Sequence, residues 1–303
     1  MTGLTDFQNK IKELLSDIEL RFYEPMDKHT SFRIGGPAEV MAFPCSPEEL
    51  ERILKASALL GIIPVILGAG TNVLAPDEGM KGLVICLKDG FNGIRPLENN
   101  RLCVAAGVTM ARAAVFAANA GLSGMEFAHG IPGSVGGGVY MNAGAYGGEI
   151  CQICESVDVM TMSGERRSYS AQEMEFSYRH SRLEEEQAIV LQAVFQLTPA
   201  KPETVKEKMQ ELMNRRKASQ PLDLPSAGSA FKRPVGGYAA ALIEQTGLKG
   251  FRVGGAAISE KHAGFAVNLG GATAKDVKDL LKQVSDKVYD AHGIRLEPEV
   301  RIW

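Results

Sequence analysis

The sequence has few of the features that mark membrane-embedded or secreted proteins. It contains five cysteines in 303 residues, and an odd number spread over a long chain does not form the disulfide framework of a secreted domain. Apolar runs stay well short of the roughly 18 residues that a membrane span requires. The first residues include acidic side chains, whereas a signal peptide needs a basic start and an unbroken apolar stretch. We therefore expect a soluble, cytoplasmic protein.

Neither sign of charge dominates. The 33 Lys and Arg residues nearly balance the 36 Asp and Glu residues, which leaves a formal net charge of −3. This balance excludes a polybasic protein that binds polyanions along its whole surface. One segment departs from the average, since residues 201–270 hold 11 basic and 6 acidic side chains. That local excess fits either a site for an anionic ligand or a solvated basic face.

Two familiar nucleotide-binding signatures are also missing. The motif GxxxxGK[ST] does not occur, so a P-loop has no support. The segment LGAGTNVL at 67–74 begins like a dinucleotide fingerprint, because Gly68 and Gly70 follow an apolar run. However, Val73 stands where the third glycine belongs, and the residues after it do not begin a helix. The pattern disfavours a Rossmann fold and leaves an ordinary tight turn or a phosphate-binding turn.

Glycine is abundant, with 33 copies, and eight of them lie in the uncharged segment HGIPGSVGGGVYMNAGAYGG at 129–148. Ordering such a segment costs roughly 0.5–1 kcal/mol per glycine relative to alanine. A large ligand against the bare backbone would offset that cost, for example a flat ring or a pyrophosphate bound by the N–H groups of Ser134, Gly136 and Gly137. A mobile surface loop agrees less well with the apolar residues inside the segment.

Apolar periodicity and capping residues predict a mixed chain of helices and strands. Ser46 and Pro47 form an N-cap and a first-turn proline, Thr109 caps another helix, and an amphipathic helix runs from Thr273 to Gly293. The pattern places breaks near residues 85 and 200. The predicted helices cover 6–21, 46–61, 109–121, 201–218, 237–246 and 273–293, and the predicted strands cover 63–67, 156–162 and 188–197.

Five motifs make the sequence similar to a known family. Between about Thr30 and Ile302 it contains, in this order, LGAGTNVL, GIPGSVGGGVYMNAGAYG, FSYRHS, PSAGSAFKRP and LEPEVRI. Together they resemble the UDP-N-acetylenolpyruvoylglucosamine reductases, flavoenzymes of bacterial peptidoglycan precursor synthesis. A short link after FSYRHS resembles the shorter subclass, which lacks an inserted segment that clamps the substrate. How the substrate pocket closes is therefore left open.

The resemblance implies an α+β fold with an FAD-binding domain of the PCMH or vanillyl-alcohol-oxidase type. Its two subdomains would cover residues 1–85 and 86–200. A separate α+β substrate-binding domain would cover 201–297, and a C-terminal strand, 298–303, would carry Glu299. These limits agree with the breaks near residues 85 and 200.

The implied reaction uses NADPH to reduce FAD and then transfers a hydride to the double bond of enolpyruvyl-UDP-N-acetylglucosamine, giving UDP-N-acetylmuramate. The family's pyrophosphate loops and flavin contacts fall on three segments of this chain. The residues concerned are Gly68, Ala69, Gly70, Thr71 and Asn72; Gly130, Ile131, Pro132, Gly133, Ser134, Gly136 and Gly137; and Asn142, Ala143 and Gly144.

Three residues occupy the family's catalytic positions. Ser229 in PSAGSAFK matches the proton donor, and a weak acid suffices there because hydride addition leaves a strongly basic enolate carbon. Arg179 in FSYRHS matches the cation that binds the substrate carboxylate, where negative charge increases as the enolate forms. Glu299 in LEPEVRI matches the acid that stabilises the same intermediate. Glu297, two residues earlier, would lie on the same strand face, so its role is left open.

The basic segment then has an implied purpose. Lys217, Lys232 and Arg233 would meet the diphosphate of a UDP-sugar, whereas the neighbouring Arg215 and Arg216 could equally be solvated helix charges. His262 is either a satisfied structural histidine or a contact to substrate or NADPH. Cys151 and Cys154 form a single CxxC without a second pair, so strand packing is favoured over redox or zinc chemistry, and we expect no metal.

Two other functions compete with this one. The chain could be another PCMH-type FAD oxidoreductase that acts on an alcohol or a sugar, or a non-catalytic module that binds a UDP-sugar. For the reductase we expect a small-molecule substrate, no nucleic-acid or membrane partner, and a monomer.

Overall fold

The computed structural model describes residues 4–87 and 90–303. The helices are α1 (Asp6–Leu14), α2 (Pro47–Leu59), α3 (Met110–Asn119), α4 (Val135–Tyr140), α5 (Leu183–Glu186), α6 (Pro202–Ser219), α7 (Ala239–Gln245) and α8 (Ala274–His292). Short 3₁₀ turns cover Met26–Lys28, Glu126–Ala128 and Ile150–Gln152. Within the described ranges, no helix combines the length and the apolar content that crossing a bilayer demands.

The strands are mostly short. They are β1 (Leu20–Pro25), β2 (Pro37–Ala42), β3 (Val65–Leu67), β4 (Val73–Leu74), β5 (Met80–Cys86), β6 (Ile94–Leu97), β7 (Arg101–Ala105), β8 (Leu122–Ser123), β9 (Gly144–Ala145), β10 (Gly148–Glu149), β11 (Cys154–Met160), β12 (Arg166–Ser170), β13 (Ile189–Gln196), β14 (Thr198–Pro199), β15 (Ser226–Ser229), β16 (Arg252–Val253), β17 (Ala256–Ile258), β18 (Phe265–Asn268) and β19 (Arg301–Ile302).

Contacts divide the chain into two compact units. Unit 1 comprises Met1–Phe22, Glu39–Ala69 and Gly82–Arg215, and unit 2 comprises Tyr23–Ala38, Gly70–Lys81 and Arg216–Trp303. This division does not follow the boundaries predicted at residues 85 and 200, because two early segments pack with the C-terminal residues. The first three residues of the predicted subdomain 1–85 lie outside the described part of the chain.

Unit 1 contains the five-stranded sheet and most residues of one four-stranded sheet. A four-stranded sheet has the order β1-β2-β5-β3, and an antiparallel five-stranded sheet has the order β12-β11-β13-β7-β6. The central strand β13 reads IVLQAVFQ and is mostly buried, as expected for a strand with neighbours on both sides and cover on both faces. The first sheet uses residues up to Cys86 and the second begins at Ile94.

Unit 2 is built on an antiparallel sheet of order β15-β18-β17-β16. The long helix α8 packs its apolar stripe into the core of this unit. As predicted, Thr273 is its N-cap and forms a capping box with Asp276, and Gly293 ends it at a φ of +68°. The stripe consists of Val277, Leu280, Leu281, Val284 and Val288, all buried.

Long-range bonds explain why the early segments belong to unit 2. Asp77 accepts the backbone N–H groups of Ala274 and Lys275 at 2.7 and 3.0 Å, so it adds a second cap to the N-terminus of α8. Strand β4 pairs in parallel with β19. The Asn268 side chain donates to the Phe32 carbonyl at 3.0 Å.

Two sequence predictions of elements were wrong. The first helix ends at Leu14 rather than Arg21. The chain turns after it, and this turn places Leu15 and Ile18 in the core. The alternating residues from Leu20 onward then form β1. The glycine-rich segment 129–148 is not a continuous loop, since Ser134 caps the short helix α4 within it. The predicted helices with caps at Ser46, Thr109 and Thr273 are confirmed.

Candidate active site

The two glycine-rich segments contact each other in unit 1. A Cβ built on Gly68 would lie 2.7 Å from the Ser134 Oγ, so the turn after β3 reaches the N-terminus of α4. Ser134 is buried, and its hydroxyl accepts the Gly137 N–H at 3.4 Å. Two segments predicted to bind one cofactor are therefore adjacent.

Some glycines of α4 are required by packing. A Cβ on Gly136 would lie 2.9 Å from the Ala106 Cβ, and the Gly136 N–H donates to the Ala106 carbonyl at 2.8 Å. Since a backbone N–H provides one strong bond, the N–H groups of Gly136 and Gly137 are already used within the chain. That these two groups bind a pyrophosphate stays a prediction.

The same segment also has features that fit a large cofactor. His129 Nδ1 is buried and has no hydrogen-bond partner among the described residues, and leaving such an atom unpaired costs about 1–3 kcal/mol. Gly137 is exposed, with the Ser134 Oγ at 3.6 Å from a built Cβ. An uncharged segment with an unpaired nitrogen and accessible bare backbone suits FAD, which carries both flat rings and hydrogen-bonding heteroatoms.

The other half of the first glycine turn belongs to unit 2. Gly70 has a φ of +65°, and a Cβ there would overlap the His29 carbonyl oxygen, so only glycine fits. Asn72 Nδ2 donates to the Glu299 carbonyl at 3.2 Å, and the Asn72 carbonyl accepts the Arg301 N–H at 3.0 Å. Asn72 therefore holds the segment that carries Glu299.

Asn142 is buried in unit 1, at 1% exposure, with its polar atoms bonded inside the chain. Its Nδ2 donates to Glu149 Oε2 at 3.3 Å and to the Ser177 carbonyl at 3.0 Å. Its Oδ1 accepts the Cys151 N–H at 2.9 Å. The backbone has a φ of +43°, in the left-handed region that asparagine tolerates better than most residues. The side chain thus joins three segments of unit 1.

Arg179 lies in a tight turn. The N–H groups of Ser177 and His180 donate to each other's carbonyls at 3.1 and 3.3 Å, and Arg179 has a φ of +56°. Its Nη2 donates to the Gly144 carbonyl at 3.4 Å, and its guanidinium lies 5.2 Å from the Tyr178 ring centroid. The predicted carboxylate-binding residue is thus placed beside the predicted flavin segment 142–144.

Ser229 ends strand β15 after an irregularity. Ser226 pairs with Val267 and Ser229 with Phe265, with a register shift between them. The Ser226 hydroxyl donates to the Ala266 carbonyl at 2.8 Å and accepts the Gly228 N–H at 3.2 Å. The bulge redirects the strand before Ser229, which leaves this hydroxyl-bearing residue half-buried.

Main-chain bonds join the Ser229 and Glu299 segments. Glu299 N–H donates to the Ala230 carbonyl at 3.0 Å, and Lys232 N–H donates to the Glu297 carbonyl at 2.9 Å. Phe231 and Pro298 form an isolated antiparallel bridge between these bonds. Unit 2 therefore brings together two of the three residues predicted to be catalytic.

The predicted phosphate ligands are all exposed side chains of unit 2. Lys232 Nζ lies 3.6 Å from Glu297 Oε2, and the Arg233 guanidinium lies 4.6 Å from the Tyr238 ring centroid. Lys217 offers its carbonyl to the Lys261 Nζ at 2.6 Å. This arrangement adds Lys261 as a neighbour of Lys217 that the sequence did not single out.

The contacts of His262 agree with those of a satisfied structural histidine. Its Nδ1 accepts the Gly264 N–H at 3.0 Å, and its ring meets Phe265 edge-on with centroids 5.0 Å apart. Burial lowers the pKa of this imidazole below its ordinary value. The neutral ring is therefore favoured in the folded protein.

The CxxC residues behave as packing thiols. Burial raises the pKa of Cys154 to about 12, and burial together with the Glu149 carboxylate raises the pKa of Cys151. High thiol pKa values oppose redox and metal chemistry, which require the thiolate. Among the described residues, no three His, Cys, Asp or Glu side chains cluster as metal ligands.

Two residues of this site escaped the sequence analysis. Ser181 is fully buried and donates to the Tyr140 carbonyl at 2.8 Å. Glu149 meets both Asn142 and the Cys151 thiol, the latter at 3.6 Å. Ser181 lies inside the FSYRHS motif, so the motif pointed to it, whereas nothing in the local sequence of Glu149 indicates its contacts.

Family models match both parts of the chain. Residues 220–303 match the model described as UDP-N-acetylenolpyruvoylglucosamine reductase, C-terminal domain. Residues 38–170 match the model described as FAD binding domain.

Curated relatives match almost the whole chain. A UDP-N-acetylenolpyruvoylglucosamine reductase of Caldanaerobacter subterraneus is 46% identical over 294 residues, covering 97% of both chains. A protein of the same name from Streptococcus pneumoniae is 43% identical over 295 residues, again covering 97% of both chains.

Solved structures agree with these relatives. The crystal structure of UDP-N-acetylenolpyruvylglucosamine reductase from Thermus caldophilus matches with a TM-score of 0.80 and 37% identity, covering 94% of this chain and 98% of that one. Alkyldihydroxyacetonephosphate synthase matches with a TM-score of 0.50 and 15% identity, covering 66% of this chain and 42% of that one. The second likeness concerns the fold alone.

Proposed function

The chain belongs to the UDP-N-acetylenolpyruvoylglucosamine reductase family, and from this premise we propose how its own residues carry out the family's reaction. The protein is an FAD-dependent oxidoreductase of peptidoglycan precursor synthesis. It uses NADPH to reduce the enolpyruvyl group of enolpyruvyl-UDP-N-acetylglucosamine, which gives UDP-N-acetylmuramate. The PCMH-type FAD-binding domain and the C-terminal domain of the family are both present.

The cofactor is assigned to the adjacent glycine segments. Residues 68–72, 130–134, 136–137 and 142–144 would hold FAD, with the His129 Nδ1 available to bond a heteroatom. The bound FAD supplies hydride transfer between NADPH and the enolpyruvyl double bond. Burial of Ser134 and Asn142 keeps water away from this part of the backbone.

Arg179 binds the carboxylate of the enolpyruvyl group. Its planar guanidinium can make two parallel hydrogen bonds to the two carboxylate oxygens. When one carbon of the double bond accepts the hydride, the electron pair moves to the neighbouring carbon and onto the carboxylate. The fixed positive charge of Arg179 then stabilises the transition state more than the ground state, which lowers the barrier.

Ser229 completes the addition. Its Oγ donates a proton to the carbon that received the electron pair, so the C=C bond becomes a single bond with one hydride and one proton added. Glu299, when protonated, donates a hydrogen bond that stabilises the same intermediate. The observation that supports this assignment most is the pairing of the two segments, in which the Glu299 N–H bonds the carbonyl of Ala230, the residue after Ser229.

The basic side chains of unit 2 are assigned to the diphosphate of the substrate. Lys217, Lys232 and Arg233 are exposed, so a phosphate can reach them without moving the core. A Lys217→Ala variant is expected to raise KM with little change in kcat. An unchanged KM would contradict its role as a phosphate ligand.

An anaerobic spectrum tests the function directly. Purified protein is reduced with NADPH and then mixed with enolpyruvyl-UDP-N-acetylglucosamine, while the flavin absorbance is followed. We expect the yellow colour to bleach with NADPH and to return with the substrate. Return of colour only with oxygen would overturn the substrate, and a protein that takes up no FAD would overturn the cofactor.

A further inference from the structure

We propose that Asn142 and Ser181 are positioning residues that hold Arg179 in place for the substrate carboxylate. The inference rests on the proposed function, in which Arg179 binds that carboxylate. It also gives Asn142 a different role from the one the family resemblance implies, because its side chain acts on the arginine turn rather than on FAD.

The backbone turn at Arg179 sets the point from which its guanidinium projects. The Nη2 atom lies 3.4 Å from the Gly144 carbonyl, and the guanidinium lies over the Tyr178 ring. Side chains that hold the turn therefore also hold the start of the Arg179 side chain.

Both flanks of that turn are bonded to one short stretch of chain. On one side, Asn142 Nδ2 donates to the Ser177 carbonyl at 3.0 Å. On the other side, Ser181 Oγ donates to the Tyr140 carbonyl at 2.8 Å. The two anchors at 140 and 142 immediately precede Gly144, the residue that the guanidinium contacts. The flanks of the turn are thus bonded to residues 140 and 142, and the guanidinium contacts residue 144 of the same stretch.

Burial makes these two bonds effective. Asn142 is 1% exposed and Ser181 is 0% exposed, so both donor side chains are shielded from water, which strengthens the bonds that they make. The polar groups of the Asn142 side chain are bonded to Glu149, Cys151 and Ser177. The Asn142 side chain is thus used inside unit 1, and the contact of this residue with FAD falls to its backbone.

The backbone conformation also points to a constrained site. Asn142 and Arg179 have φ values of +43° and +56°. A non-glycine residue in the left-handed region costs roughly 1–2 kcal/mol, and such residues persist only where the surroundings enforce them. The side-chain bonds at both flanks supply that enforcement for the turn.

The test separates the two half-reactions by anaerobic stopped-flow absorbance. Ser181→Ala and Asn142→Ala are expected to slow flavin reoxidation by enolpyruvyl-UDP-N-acetylglucosamine about tenfold or more, because a small misplacement of a binding group is costly. In Ser181→Ala, reduction by NADPH and the Kd of FAD measured by titrating the apoprotein should stay within about twofold of wild type, because neither depends on Arg179.

A double variant shows whether the effect passes through the arginine. Arg179→Ala alone should slow reoxidation, and adding Ser181→Ala to it should slow the reaction less than about twofold further. The matched control is Ser57→Ala, which removes a buried hydroxyl that donates to the Leu54 carbonyl at 2.8 Å in α2. It should lower Tm comparably while leaving both half-reactions unchanged.

Each outcome decides between the two assignments. Normal reoxidation in Arg179→Ala would overturn the proposed role of the arginine, and with it this inference. A slow Arg179→Ala together with normal Ser181→Ala would overturn only the positioning role. Full additional slowing in the double variant, or weaker FAD binding in Ser181→Ala, would show that the side chain acts independently of Arg179. Ser181→Ala keeps the test decisive if Asn142→Ala fails to fold.

Discussion

In each unit, an asparagine of a predicted cofactor segment holds a segment that carries a predicted catalytic residue. The two asparagines differ in their burial and in the number of hydrogen bonds that their side chains make. Asn142 in unit 1 is buried and makes three side-chain hydrogen bonds, one of them to the turn of Arg179. Asn72 in unit 2 is half-buried and bonds the Glu299 carbonyl through its side chain.

The difference lies in what else supports each segment. The Glu299 segment is paired by main-chain bonds with the residues that follow Ser229, and β19 is paired with β4. The Arg179 turn is instead tied at its flanks by the side chains of Asn142 and Ser181. Backbone pairing tolerates substitution because every residue except proline supplies it. A turn held by side chains depends on particular residues.

The largest expected effect separates chemistry from position in unit 2. Ser229→Ala should slow flavin reoxidation by the substrate at least a hundredfold, because the proton donor is lost. Reduction by NADPH and Tm should stay near wild type, since the strand is held by its backbone. Stopped-flow absorbance measures reduction and reoxidation of the flavin, and thermal unfolding measures Tm. Unchanged reoxidation would remove Ser229 from the mechanism.

A second prediction compares the two asparagines directly. Asn142→Ala should lower the free energy of unfolding by roughly 2–4 kcal/mol, because it removes three hydrogen bonds made by a buried side chain. Asn72→Ala should cost less than about 1 kcal/mol, because water can reach its site. Urea denaturation of the two variants gives these values. Equal losses would erase the distinction between side-chain and backbone support.

A third prediction attacks the backbone pairing itself. Lys232→Pro removes the N–H that donates to the Glu297 carbonyl and should cost roughly 1–3 kcal/mol of stability. Lys232→Ala keeps that bond and removes only an exposed ion pair, so its cost should stay below about 0.5 kcal/mol. Urea denaturation again compares them. A costly alanine variant would mean that side chains support this segment too.

The smallest expected effect concerns pH and unit 2. Burial lowers the pKa of His262, so the unfolded state binds the proton more readily than the folded state does. Stability should be intact above the ordinary value of 6.5 and fall as the pH drops below it. Tm measured from pH 7.5 to 5.5 should fall more steeply in wild type than in His262→Gln. Parallel curves would mean that protonation of this ring is not linked to folding.

Local signals predicted much of the fold. The caps of α2, α3 and α8 and the motif order were readable, because a cap is a bond between residues three positions apart. The end of α1 and the helix inside the glycine-rich segment were not, because tertiary burial decided both. The same limit applies to Asn142, whose partner Ser177 lies 35 residues away.

The division into units was beyond the sequence for the same reason. The motifs located Ser229 and Glu299, but not the bond between Asn72 and Glu299, which spans 227 residues. Likewise, no local pattern shows that Gly136 packs on Ala106. The glycine content of segment 129–148 therefore overstated how many of its glycines a ligand would explain.

The cap that Asp77 places on α8 has a consequence for how the protein is made. Its partner Ala274 lies 197 residues later, which corresponds to roughly 10–40 s of synthesis at about 5–20 residues per second. During that interval the emerging chain holds Asp77 without the helix end it stabilises, and unit 2 can be completed only after α8 has been synthesised. A ribosome stalled before residue 274 would present unit 2 as an unfinished substrate for chaperones and proteases.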